Sequence, residues 1–395
     1  MKPEKQTDVS KSVAIIGTRG YPSYYGGFET AVRKLAPYLV DSDWDVTVYG
    51  RTGATKEDDA ARDMRVRSVM TAGLESKSLS TLTFGLTSVI HALVHKPDVA
   101  LVMNVANGFW LPLLRLRGIP TVVNVDGIEW ERAKWGRLAK SVFKLGAKFT
   151  ARFGNVLVSD SLEIGRRWQE DFSRDSIFIP YGGDEPSLLP VVQGLEHGKY
   201  VLLVARFVPE NTVNEFFEAA EKLATEFPVV VVGSTGYGGE LDDKARQLAA
   251  RYANFTWLGH LSDDQQLLSL WQHAGVYFHG HSVGGTNPAL VQAMACGAPV
   301  LARRTQYNLE VLASEANMVD PAPDEIVAAI QALMANPDER AAAGRQNKSR
   351  AAAHYSWRDV CAAYELAIST SAVAASRGSN ADPQRVSRGS DAVRE

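Results

Sequence analysis

The sequence predicts an α/β protein built from two doubly wound, Rossmann-like domains that face each other across a cleft. Three observations predict it. Short runs of β-branched residues alternate with helical patterns through the first half of the chain. After an irregular stretch containing proline and glycine, the same alternation begins again. The length of 395 residues suits two domains of roughly 100–200 residues each. Strands that are apolar on both faces belong in parallel sheets covered by helices.

In the first half, residues 13–16 (VAII) read as a buried strand. Gly17, Gly20, Gly26 and Gly27 punctuate the loop that follows, and 28–39 read as a helix. Residues 45–49, 99–103, 121–125, 156–159 and 177–179 are further β-rich runs. Residues 184–199 hold Pro186, Pro190, Gly194 and Gly198 with no periodicity, which marks a linker. Strands are then expected at 201–205, 229–232, 255–258 and 276–278, with helices at 213–225, 240–252 and 264–273. A terminal helix is expected over 354–369. The expected division is an N-terminal domain at 12–183, a linker at 184–198, a C-terminal domain at 199–353 and a helix at 354–370. Residues 1–11 and 371–395 are poor in large apolar side chains and are expected to be disordered.

Composition narrows the function. The formal net charge is -3, so no global basic field points to nucleic acid. The two cysteines, Cys296 and Cys361, fall in separate predicted helices without CxxC spacing. Neither a disulfide framework nor a zinc site is expected, and a reducing cytoplasm fits. The opening MKPEKQTDVSK lacks the apolar run of a signal peptide. The apolar stretch at 79–94 is interrupted by Ser, Thr, Gly and His, short of the roughly 20 apolar residues of a membrane span.

In an open parallel sheet, ligands sit outside the carboxyl ends of the strands, where helix N-termini favour anions. Two loops have suitable chemistry. Residues 17–29 (GTRGYPSYYGGFE) lead from the first strand into the first helix, and their glycines admit close backbone approach. Residues 280–292 (GHSVGGTNPALVQ) place Asn287 as an N-cap, Pro288 at the first helical position and Gly297 beyond the helix end. Gly284, Gly285 and Thr286 then precede a helix N-terminus able to take a diphosphate, with Gln292 one turn inside the helix and able to reach the nucleoside end of the same ligand.

These loops, with NVDGIEWERAKWGRLAK (124–140), IPYGGD (179–184), VARFVPEN (204–211) and HGHSVGGTNPALVQAMACGAPVLA (279–302), carry a resemblance. From about residue 12 to 370 the chain resembles a bacterial glycosyltransferase of family 4 with the GT-B fold, and within it the rhamnosyltransferase-like subgroup that opens with GTRG…YGGFET. The resemblance implies a nucleoside diphosphate sugar bound mainly to the C-terminal domain and a saccharide acceptor on the N-terminal domain. It implies transfer with retention of configuration, no cofactor and no required metal. Deoxythymidine diphosphate-rhamnose is the subgroup's best known donor, and the acceptors belong to cell-surface polysaccharide assembly.

The residue roles follow from the match. Arg206 contacts the donor diphosphate, where a guanidinium neutralises the leaving phosphate. Asn211 stands where the family usually has a second cation, a lysine. Gln292 and Gly284 occupy the two positions of the family's EX7E pair, so neither carboxylate is present. His281 is expected to contact donor sugar or phosphate; His279 and His281 have no evident third metal ligand. Gly26, Gly27, Gly284, Gly285, Thr286 and Asn287 complete the expected donor side. Asp126 follows a strand and can orient an acceptor hydroxyl or accept its proton, with Glu129 and Glu29 beside it on the acceptor side. For Asp126 and Glu129 helix capping is an equally good reading, and Glu29 can be a helix-dipole partner alone.

Lys134, Arg137, Lys140, Lys144, Lys148 and Arg152 share one face at about 100° per residue, with no acid between them. Trp135, Leu138, Val142, Leu145, Phe149 and Phe153 share another. Residues 132–153 are therefore either an ordinary helix with a solvated lysine stripe or a surface for anionic lipid beside a lipid-linked acceptor. The second reading would make the protein peripheral on the inner face of the cell membrane. Competing functions are a sugar-nucleotide epimerase and a catalytically weakened scaffold. A dehydrogenase would need GxGxxG and an acidic residue after the second strand, and neither is present.

Overall fold

The computed structural model describes residues 11–376 apart from 25, 56–58, 61, 75–79, 133–134 and 237. The first half runs β1 (Ser12–Ile16), α1 (Gly27–Asp41), β2 (Asp45–Arg51), β3 (Arg67–Thr71), α2 (Ser80–His95), β4 (Val99–Met103), α3 (Leu111–Leu116), β5 (Thr121–Asn124), α4 (Arg137–Phe153), β6 (Val156–Ser159), α5 (Leu162–Phe172) and β7 (Ile177–Phe178). The second half runs β8 (Val201–Val204), α6 (Val213–Leu223), β9 (Val229–Val232), α7 (Glu240–Arg251), β10 (Phe255–Trp257), α8 (Asp264–His273), β11 (Val276–His279), α9 (Pro288–Ala295), β12 (Val300–Arg303), α10 (Gln306–Leu312), β13 (Met318–Val319), α11 (Pro323–Ala335), α12 (Pro337–His354) and α13 (Trp357–Ser376).

Each half forms one parallel sheet, ordered β3-β2-β1-β4-β5-β6-β7 and β10-β9-β8-β11-β12-β13. Both are buried on two faces. Val13 and Ile15 of β1 point into one apolar cluster, while Ala14 and Ile16 point into the cluster on the opposite face. Val201 and Leu203 are divided from Leu202 in the same way across the second sheet. That is why these strands read as continuous apolar runs. The strand order reverses between β1 and β4 and between β8 and β11, and such switch points are where doubly wound sheets open a crevice.

The first sheet has a strand, β3, that sequence reading does not anticipate. Its residues RSVMT are partly exposed at the sheet edge and lack an apolar signature. Everything from β12 to α12 also lies beyond the predicted elements. At the terminus the expectation of disorder from residue 371 is corrected, because α13 continues to Ser376. Ser371 and Ala372 are buried, and small side chains pack closely without raising the apolar count that signals a core. Residues 1–10 and 377–395, also expected to be disordered, lie outside the described residues, apart from Lys11, which precedes β1.

Although it follows the second domain in sequence, α13 packs on the first. Val360, Cys361, Tyr364, Ala367 and Ile368 join the cluster of β1, α1 and β4 residues. The chain therefore crosses between domains twice, and the crossings lie side by side. Gly183 donates its N–H to the Tyr355 carbonyl at 2.8 Å and bridges in parallel to Ser356. Residues 184–198 are irregular and are stitched to α8: Leu189 N–H to Gln272 Oε1 at 2.9 Å, and Ser269 Oγ to the Pro190 carbonyl at 2.6 Å.

Candidate functional site

The carboxyl edges of the two sheets face each other, and the expected site loops meet there. After β1, Gly17 takes φ +95 beside the Met103 carbonyl, where a Cβ would collide. Glu29, buried in the first turn of α1, accepts the Arg19 N–H at 3.3 Å and so braces the same loop. Gly26 is the extended N-cap of α1. Gly27 lies where a Cβ would sit 3.2 Å from Pro288 of the other domain and 3.3 Å from Tyr181. Its immediate neighbours are thus an interdomain contact rather than open cleft.

Arg206 follows β8 and is exposed. Asn211 is buried and donates its side-chain amide to the Arg206 carbonyl at 2.9 Å. It shapes the backbone that carries Arg206, and its own amide is directed away from a ligand. His281 follows β11 with its ring stacked on His279 at 4.4 Å between centroids. Burial drives the His281 imidazole down to about 3, and the Arg206 and Arg132 cations push the same way. His281 is therefore neutral at physiological pH, a hydrogen-bonding group and not a cation. His281 Nδ1 and His279 Nε2 are buried without a hydrogen-bond partner among the described residues. No group of three or more His, Cys, Asp or Glu placed for a metal occurs among those residues.

Asn287 caps α9 as its residue type predicts, its Oδ1 accepting the Ala289 N–H at 3.0 Å. Thr286 departs from expectation. Its N–H donates at 3.0 Å to the carbonyl of Asp160, at the end of β6 in the other domain, and its hydroxyl donates to the same oxygen. The amide expected to hold a phosphate is engaged between domains. Gly285 lies directly against the Asp160 carboxyl, leaving no room for a Cβ. Gln292 also departs. Its Oε1 accepts the Asp184 N–H at 2.9 Å and its Nε2 donates to the Asp184 carbonyl at 2.7 Å. It clamps the segment that crosses between domains. Asp184 in turn pairs with Lys34 of α1 at 2.6 Å.

On the N-terminal side Asp126 takes φ +59, and Asn104, at the end of β4, takes φ +72. Non-glycine residues seldom adopt this conformation, and it gathers at functional sites. Asn104 donates to Asp126 Oδ2 at 2.9 Å, and the Asp126 N–H donates to Asn124 Oδ1 at 2.9 Å. Asn124 donates in turn to the Tyr364 hydroxyl of α13 at 2.7 Å. The terminal helix thus helps to orient Asp126. Glu129 does not cap α4. It is buried, accepts the Trp135 indole N–H at 2.7 Å and pairs with Arg132 at 2.8 Å.

Several site residues had no sequence signal of their own. Asp160 is buried, one carboxyl oxygen has no partner among the described residues, and burial reinforced by Asp126 raises it to about 8. Glu310 of α10 reaches across to the start of α5, accepting from Ser161 Oγ at 2.9 Å and from the N–H groups of Leu162 at 2.8 Å and Glu163 at 3.2 Å. Asn104, Arg132 and Tyr364 complete the set. Each looks ordinary in sequence because it meets residues distant along the chain: Asn104 meets Asp126, Arg132 lies by Gly284 and Tyr364 meets Asn124.

Helix α4 begins at Arg137, with Lys134 outside the described residues. Arg137, Lys144, Lys148 and Arg152 are exposed. Only part of the expected apolar stripe remains outward: Leu138 is 80% and Leu145 47% exposed. Phe149 packs instead against Phe109 and Phe153. No helix among the described residues is long and apolar enough to cross a membrane.

Comparison with known proteins agrees with this architecture. The family profile "Glycosyl transferases group 1" matches residues 190–350, and "Domain of unknown function (DUF1972)" matches residues 10–184. An uncharacterized glycosyltransferase of Methanocaldococcus jannaschii is 26% identical over 155 residues, 38% of each chain. O-antigen chain mannosyltransferase B of Escherichia coli is 27% identical over 154 residues, 37% of this chain and 39% of the relative. The chain therefore spans about two fifths of the curated relatives it matches. Among solved structures, sucrose-phosphate synthase of Thermosynechococcus elongatus superposes with a TM-score of 0.74 at 17% identity, over 90% of this chain and 98% of that one. HepE of Anabaena, in complex with UDP-glucose, superposes with a TM-score of 0.70 at 15% identity, over 91% and 99%. The chain has the GT-B fold.

Two predictions follow from the contacts between domains. The Asp160 carboxyl titrates higher in the folded chain than its ordinary value of about 4. The folded form therefore binds the extra proton, and stability falls as pH rises from about 4 to about 8. Asp160→Asn removes that dependence, so the Tm difference, variant minus wild type, grows across this window in melts at about pH 5, 6.5 and 8. A pH-independent difference would contradict it. Gln292→Ala loses both bonds to Asp184 and lowers stability by about 1–3 kcal/mol with nucleotide affinity unchanged. An unshifted melt together with weakened nucleotide binding would return Gln292 to the ligand.

Proposed function

We propose that this chain is a retaining glycosyltransferase that moves a sugar, rhamnose, from a nucleoside diphosphate to a saccharide acceptor in cell-surface polysaccharide assembly. One observation carries the reading: the exposed cation Arg206, the neutral His281 and the glycines 284 and 285 stand at the edge of one sheet, opposite Asp126 at the edge of the other. A donor diphosphate on the first edge and an acceptor hydroxyl at the second meet in the cleft. The group 1 profile over residues 190–350 supports sugar transfer, as do the two curated relatives. The complex of HepE with UDP-glucose supports a nucleotide-sugar donor. Rhamnose and retention rest on the resemblance of GTRG…YGGFET and the segments that follow it.

In this mechanism the bond from the anomeric carbon to the phosphate oxygen breaks, and the acceptor oxygen bonds to the same face of that carbon. The acceptor proton passes to the leaving phosphate, so the protein needs no nucleophile of its own. Its part is to position both substrates and to stabilise the charge that develops on the diphosphate. Arg206 supplies positive charge. His281, held neutral, offers a hydrogen bond to sugar or phosphate. Asp126, steadied by Asn104 and Asn124, orients the acceptor hydroxyl.

The exposed cations of α4, with Leu138 and Leu145 between them, support docking on an anionic membrane, which would bring the cleft to a lipid-linked acceptor. No metal is assigned a role.

Arg206→Ala lowers turnover by about tenfold or more, equivalent to about 1.4 kcal/mol in the barrier. This is measured as donor consumption with a panel of nucleoside diphosphate sugars and lipid-linked acceptors. Wild-type kinetics in that variant would move the phosphate site elsewhere, and nucleotide binding without donor consumption would favour a scaffold. Replacing Lys140, Lys144 and Lys148 by Glu abolishes cosedimentation with anionic phosphatidylglycerol vesicles, and undiminished binding would remove the membrane face.

A further inference from the structure

Resting on the reading of the cleft as a donor site, we propose that Arg132 is the second cationic contact of the donor diphosphate, delivered from the opposite domain. From the C-terminal domain, Arg206 is exposed at this edge, while Arg303 of β12 is spent on the Thr212 hydroxyl at 2.9 Å. Arg206 follows β8, and the next position where a cation would be expected is Asn211, whose amide is bonded to the Arg206 carbonyl. A diphosphate leaving group carries more negative charge than a single exposed guanidinium balances.

Arg132 has the geometry to supply the difference. It leaves the turn after β5, its side chain is only 16% exposed, and its Nε pairs with Glu129 at 2.8 Å. That ion pair lacks hydrogen-bond geometry at Nε and holds the guanidinium beside Glu129 by charge, and Glu129 is itself held by the Trp135 indole. The other end crosses the cleft. A methyl group on Gly127 would lie 3.2 Å from Arg132 Nη2, and one on Gly284 would lie 3.3 Å from the same atom. Arg132 Nη2 therefore lies against the tip of the glycine loop of the other domain, and a side chain at residue 284 would crowd it. Its cation also acts on His281 alongside that of Arg206, so two arginines from two domains bracket one neutral imidazole.

Four acids face Arg132: Glu129, Asp126, Glu210 and Asp160. Glu129 is committed to the Nε edge and the Trp135 indole, and Asp160 is held largely protonated at neutral pH by burial. A planar guanidinium anchored by a carboxylate on one edge is preorganised to meet phosphate oxygens with the other. Because Arg132 and Gly284 belong to different domains, the contact exists only when the domains are together, which couples diphosphate binding to closure.

The test is calorimetric titration of UDP, dTDP and GDP, each beside its monophosphate, into wild type and the variants Arg132→Ala, Arg132→Gln, Arg132→Lys and Arg206→Ala. The nucleotide that wild type binds most tightly is used for comparison. Arg132→Ala and Arg132→Gln are expected to weaken the diphosphate by about tenfold or more and the monophosphate by under about threefold, with part of the loss recovered in Arg132→Lys. Thermal melts identify a variant that fails to fold, in which case the Gln and Lys variants decide the matter. An equal loss for diphosphate and monophosphate would make Arg132 merely structural and overturn the proposal. So would unchanged binding in the Arg132 variants while Arg206→Ala weakens the diphosphate, an outcome that leaves the glycosyltransferase reading intact. If wild type binds no nucleoside diphosphate, that reading fails and the role of Arg132 fails with it.

Discussion

Thr286 of one domain donates both its N–H and its hydroxyl to the backbone carbonyl of Asp160 in the other. Most of the site is arranged around this contact. It places Gly285 against the Asp160 carboxyl and faces the glycine loop with the turn at residues 126–132. It also removes water from a carboxyl, two imidazoles and a guanidinium. In such surroundings charge is expensive unless paired, so His281 loses its proton and Asp160 keeps one.

Closure is held elsewhere by contacts that avoid the cleft. Glu310 caps the start of α5 from the opposite domain, where a carboxylate gains from both unpaired N–H groups and the helix dipole. Gln292 clamps Asp184, and Asp184 meets Lys34. Helix α13 crosses back over the first domain and supports Asp126 through Tyr364 and Asn124.

The balance of charge distinguishes this cleft. Where a second cation would stand on the donor side, Asn211 braces the loop of Arg206 instead. Arg132, coming from the N-terminal domain, lies against the glycine loop at Gly284. With Arg132 acting as proposed, the site is complete only when both domains contribute, which adds to the link through Thr286 and Asp160.

Sequence alone determined the doubly wound architecture, because strands buried on both faces must be continuously apolar and the helices between them periodic. It also determined the cap at Asn287 and the two glycine loops, whose signals are local. The edge strand β3, with little apolar burial, left no such trace, and the small residues near Ala372 concealed a packed helix end. Tertiary structure decided the roles of Thr286, Gln292 and Asn211, whose partners are Asp160, Asp184 and the carbonyl of Arg206. It alone brought forward Arg132, Asp160, Tyr364 and Glu310. The physical reason is that a hydrogen bond or ion pair acts over a few ångströms: the partners of Thr286, Gln292, Tyr364 and Glu310 lie far away in sequence, and the nearby partners of Asn211 and Arg132 leave no local pattern that signals the contact.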